Sequence, residues 1–142
     1  KRIMYTDKQE RIGWRINDRL ARFFRKFYRF GWAIRMKVDY SSIRPVRLTF
    51  VDRDDCSKCF SFYAYRVSYS YGWFKNRHTG SAILIDMMDF TSLVVVFNRK
   101  IPTEYYNDFG EFIGMGSTRE VLEEYIRKYV DDIPDNYMLV IN

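Results

Sequence analysis

Residues 6–31 read TDKQERIGWRINDRLARFFRKFYRFG, and two interleaved periodicities in this stretch decide the architecture. Apolar side chains fall at Ile12, Ile16, Leu20, Phe23, Phe27 and Phe30. Steps of three and four keep them on one face of a helix, and Phe24 widens that face. Thr6-Asp7-Lys8-Gln9 fits a capping box, with Thr6 as N-cap and Gln9 reaching back. Gly31 follows the last periodic residue and suits a left-handed C-terminal cap. The spacing therefore predicts a helix over about 7–30, weakened slightly by Gly13.

The second periodicity is cationic. Arg11, Arg15, Arg19, Arg22, Lys26 and Arg29 recur at the same helical steps, flanked by Lys8 and Arg25. The stripe spans about 27 Å at ~1.5 Å per residue, long enough to follow a nucleic-acid backbone. Arginine predominates, and a guanidinium grips phosphate through two parallel hydrogen bonds. The competing reading is a solvated face partly tied by ion pairs, with Asp7–Arg11 and Asp18–Arg22 at i,i+4 spacing.

After Gly31 the period drops to two. Trp32, Ile34, Met36, Val38 and Tyr40 alternate with polar or small residues, as in a half-buried strand. Ser41–Pro45 reads as a connection and Val46–Val51 as a second strand. Phe60–Phe74 is strand-like but too long for an ordinary strand, so a bend or bulge is expected, with Gly72 a candidate site. Lys75–Gly80 reads as a turn, and Ala82–Asp86 and Ser92–Phe97 as two further strands. Pro102 is placed to open a short helix through about Ile113. Ser117-Thr118-Arg119-Glu120 is a second capping box, opening a helix to about Val130. Tyr137–Ile141 reads as a last strand.

The expected fold class is α+β in a single domain, residues 1–142. A long N-terminal amphipathic helix packs on an antiparallel, meander-like sheet of about five to six strands, with one or two C-terminal helices. The sheet is expected over about 32–98 and an acidic helical part over about 102–142. The broad arrangement resembles that of cystatin-like and NTF2-like folds in architecture alone, with no motif of either family.

Composition bounds the function. Of 142 residues 47% are hydrophobic, enough for a core and against global disorder. The net charge of +6 is unevenly spread: residues 1–47 carry +10 and residues 48–142 carry −4. Such asymmetry suggests a partner of opposite sign for one half, or neutralisation of the halves within or between copies. With two cysteines and no run of about 18 apolar residues, an intracellular, reducing setting and no membrane span are expected.

Four further constellations carry chemistry on paper. Tyr63, Tyr65, Tyr69, Tyr71 and Trp73 share one parity, so they form a candidate stacking surface for unpaired bases, or else a core face beneath the helix. Cys56-Ser57-Lys58-Cys59 is a lone CxxC whose nearest histidine is His78, too few ligands for structural zinc. Glycines 110, 114 and 116 precede a helix but lack the Gly-Lys-Ser/Thr of a phosphate loop. Asp52, Asp54 and Asp55 cluster in one loop and Asp86 and Asp89 flank another turn, with no lysine or histidine at a telling spacing beside them. No catalytic residue, metal or cofactor is assigned. The expectation is a non-enzymatic protein that contacts nucleic acid or a ribonucleoprotein through the basic helix. The alternative is a small interaction module or inhibitor, docking on another protein through that helix or the acidic C-terminal part. A homodimer is a further option, and a membrane surface the least favoured partner.

Overall fold

A computed structural model of the chain describes residues 5–27, 35–73, 75–87, 90–98 and 100–142. Helix α1 spans Asp7–Phe27. Its first turn is closed reciprocally: the Thr6 N–H donates to Gln9 Oε1 at 2.8 Å, and the Gln9 N–H donates to Thr6 Oγ1 at 3.1 Å. Both orphan donors of the helix end are thereby satisfied. The expected C-terminal cap at Gly31 lies outside the described residues.

The chain then forms strands β1 (Arg35–Asp52), β2 (Cys59–Trp73), β3 (Asn76–Met87), β4 (Phe90–Phe97), β5 (Glu104–Asn107) and β6 (Phe112–Met115), helix α2 (Thr118–Tyr129) and strand β7 (Tyr137–Ile141). The fold is α+β. One antiparallel sheet has the order β6-β5-β4-β3-β2-β1-β7, seven strands rather than five to six.

Two differences from expectation account for the count. The described part, 35–40, of the strand expected at 32–40 and the strand expected at 46–51 are one strand, β1, so Ser41–Pro45 is not a connection; residues 32–34 lie outside the described residues. The register jumps between Asp39↔Ser68 and Arg44↔Arg66, so a bulge in β1 absorbs the irregularity. Here the Ser42 hydroxyl stands in for a ladder partner. It donates to the Asp39 carbonyl at 2.6 Å and accepts the Ser68 N–H at 2.8 Å. The bulge therefore lies in β1 and not at Gly72 of the long β2, which pairs with β3 without interruption from Ala64 to Trp73. In the second difference, the helix expected after Pro102 is the β5–β6 hairpin. Asn107 Oδ1 accepts the N–H groups of Phe109 and Glu111, and Gly110 takes φ 88°. This side-chain-closed turn outcompetes helix initiation. The acidic C-terminal part thus holds strands β5, β6 and β7 and, among the described residues, one helix. Ser117, the expected cap of that helix, makes no side-chain capping bond. Thr118 Oγ1 instead pairs with the Tyr105 hydroxyl at 2.7 Å.

Strand parity explains two cores. One face of the sheet presents Val67, Tyr69, Leu84, Leu93 and Val95 to Ile12, Ile16, Leu20, Phe23 and Phe24 of α1. The other presents Leu48, Ala64, Ile83, Ile85 and Val94 to Val121, Leu122, Tyr125 and Ile126 of α2. Central strands covered on both faces need continuous apolar runs, which Ala82–Ile85 and Leu93–Phe97 supply. Buried Tyr125 pairs its hydroxyl with Ser92 at 2.7 Å, and burial pushes its phenol above the ordinary value.

Gly80 is a close-approach site. A methyl there would lie 2.5 Å from the Tyr69 hydroxyl oxygen and 2.9 Å from the Val96 carbonyl oxygen. That hydroxyl is buried and donates to the same carbonyl at 3.3 Å. Gly80→Ala is expected to lower the unfolding free energy by about 2 kcal/mol through overpacking. Urea denaturation measures it; an unchanged midpoint would mean that Tyr69 moves aside freely.

Candidate polyanion-contact surface

The six stripe positions separate into different environments. Arg15 pairs with Asp86 on β3 at 2.9 Å, and Thr91 donates to the same carboxylate at 3.1 Å. The Arg15 guanidinium holds the Asp86 carboxyl below the usual carboxylate range, against some desolvation. Arg19 is drawn in further. It meets Asp108 at 2.9 Å, and Asp108 is buried and also accepts the Leu93 N–H at 3.1 Å. Arg19 thereby fastens α1 to the sheet, whereas Arg15, 45% exposed, keeps its face toward solvent while pairing with Asp86.

Arg11 and Arg22 stay exposed on the outer ridge, as does the flanking Arg25. Arg22 lies 3.7 Å from Asp18, an exposed pair that neutralises little. Lys26 reaches over the Phe109 ring at 5.6 Å while keeping its charge in solvent. Lys8 lies over the Tyr65 ring at the same distance. Arg29 lies outside the described residues. Between the exposed cations stands Trp14, 65% exposed. Reading for periodicity passed over Trp14, although the signal was there: it is the large apolar residue of α1 that breaks the apolar step.

The tyrosine ladder is divided. Tyr69 and Tyr71 are buried against Phe24 of α1, and Tyr65 is half-buried. Tyr63 and Trp73 are exposed at opposite ends of β2. Beneath α1 there is no continuous ring surface open to a base.

No family model matches the chain, and neither curated proteins nor solved structures gave a match. Function therefore rests on geometry.

The remaining constellations serve local structure. Asp52 Oδ1 accepts the Asp54 N–H and the Asn136 side-chain amide. Asp55 Oδ1 accepts the Ser57 N–H and hydroxyl, which lowers the Asp55 pKa. Cys56 and Cys59 are exposed thiols. Among the described residues no three His, Cys, Asp or Glu side chains gather as a metal site would require. None of the described helices is long and apolar enough to cross a membrane. The acidic residues of α2 lie on the opposite face of the sheet from α1 and leave its ridge open. Glu123 pairs with Arg119 at 3.0 Å and accepts the Leu139 N–H at 2.8 Å.

Proposed function

We propose that the protein is a non-enzymatic binding protein that contacts nucleic acid, alone or within a ribonucleoprotein, through the outer ridge of α1. The observation that carries this reading is the outer face of one sheet-backed helix, where exposed Trp14 lies between Arg11 and the Asp18–Arg22 pair, with Arg25 beyond. From Arg11 to Lys26 the ridge runs about 22 Å at ~1.5 Å per residue. The cations supply phosphate contacts and counterion release, and the indole supplies a stacking face for an unpaired base. The cations are assigned to phosphates, and no residue is identified as a reader of base edges, so affinity with little sequence preference is expected.

Binding to single-stranded RNA, followed by fluorescence anisotropy across salt concentrations, tests this. Arg22→Gln/Arg25→Gln is expected to weaken binding roughly tenfold at 0.1 M salt and to make the log–log salt slope shallower by about 1.5. No binding by the unaltered protein at low salt removes the reading. The second reading is docking on an acidic protein surface. Exposed tryptophan beside arginine favours it too, since both residue types dominate protein hot spots.

A further inference from the structure

On the opposite face of the sheet, the β1 bulge creates an electrostatic arrangement unrelated to α1. The register sets Arg44 directly opposite Arg66. Arg66 shares its parity with Ala64 and Arg44 shares its parity with Val46, so both arginines project on the α2 side. Like charges directly opposite one another on a sheet are destabilising. Neither guanidinium has an ion pair or hydrogen bond among the described residues. The carboxylate nearest in sequence, Asp39, has its Oδ1 engaged by the Ser41 N–H at 3.2 Å and hydroxyl at 2.6 Å.

The two arginines line a cavity of about 390 Å³ together with Ser41, Ser42 and Ser68. An adjoining cavity of about 670 Å³ shares Ser41 and Ser68 and adds Lys37, Asp39 and Tyr40. Ser81, directly opposite Ser68 in the register, is buried with a hydroxyl that has no hydrogen-bond partner.

We propose that this groove binds the phosphate group of a small phosphorylated ligand. Two facing guanidiniums match the oxygens of one phosphate, whose negative charge removes the repulsion between them. The Ser68 hydroxyl adds a donor, whereas the Ser41 and Ser42 hydroxyls already donate to Asp39. Lys37 and Asp39 both line the adjoining cavity, so the positive charge is concentrated at Arg44 and Arg66. Both cavities fall within the ~300–1,000 Å³ usual for small-molecule sites.

Thermal unfolding with added pyrophosphate or adenosine monophosphate tests the proposal. Both probes are expected to raise the midpoint of the unaltered protein by several degrees through preferential binding to the folded state. Arg22→Gln/Arg25→Gln, which removes two charges from α1, is expected to respond equally. Arg44→Gln/Arg66→Gln, with the same loss of charge, is expected not to respond. Equal responses in all three proteins, or none in the unaltered one, overturn the proposal. Binding to a nucleic-acid polymer without any response to the small probes overturns it as well. Amide resonances provide a readout without substitution: adenosine monophosphate should shift Ser42, Arg44, Arg66 and Ser68, and shifts confined to α1 would refute the site. The α1 variant separates this proposal from the RNA reading, since it should lose RNA affinity and keep the nucleotide response.

Discussion

Phe24→Ala is expected to lower the unfolding free energy by about 3–5 kcal/mol, the range for deleting a buried aromatic ring. Phe24 is 2% exposed and forms the centre of the aromatic cluster under α1. Its ring centroid lies 5.2 Å from that of Tyr71, 5.8 Å from Tyr69 and 6.5 Å from Phe97. Removing it forfeits transfer free energy and leaves a cavity that stiff neighbouring rings fill poorly. Guanidinium denaturation followed by near-ultraviolet circular dichroism measures both the loss and the loosening of the tyrosines. A cost below about 1 kcal/mol would mean that α1 is not seated on this face.

Asp108→Ala is expected to cost about 3 kcal/mol. Asp108 is 4% exposed and serves Arg19 and the Leu93 N–H together. Truncation leaves a largely buried guanidinium and a buried N–H without their acceptor. The intact pair contributes much less than this, because desolvation offsets most of its attraction. A double-mutant cycle with Arg19→Met separates the two quantities. Additive losses in the cycle would show that Arg19 and Asp108 are not coupled.

Local rules were sufficient for α1. Its capping box, its apolar step and its packing face all appear where Thr6, Gln9 and Ile12–Phe24 require. The bulge was hidden because Ser41-Ser42-Ile43-Arg44-Pro45 carries turn residues, and the same residues also suit a bulge. Only pairing with β2 distinguishes the two. Hairpin β5–β6 was missed for a related reason. Pro102 suits the first turn of a helix, whereas Asn107 and Gly110 form a turn whose partner strands become evident only against β4. At the candidate site, the sequence showed every cation but not which ones the fold would occupy. Asp86 and Asp108 lie 71 and 89 residues beyond Arg15 and Arg19, a separation no local pattern bridges. The opposition of Arg44 and Arg66 depends on the register shift itself and could not be read before the bulge was known.

The uneven lengths of β1 and β7 have a consequence for self-association. Strand β7 pairs with β1 only from Leu48 to Asp52, so among the described residues Arg35–Val46 of β1 has no neighbour on that side. An open edge of this length is a template onto which another chain could add its own strand, as in fibril growth. Here the edge is interrupted by the bulge and by Pro45, which has no N–H to offer, and it carries Arg35, Lys37 and Arg44. The irregularity that shapes the groove thus also blunts this edge against the addition of another strand.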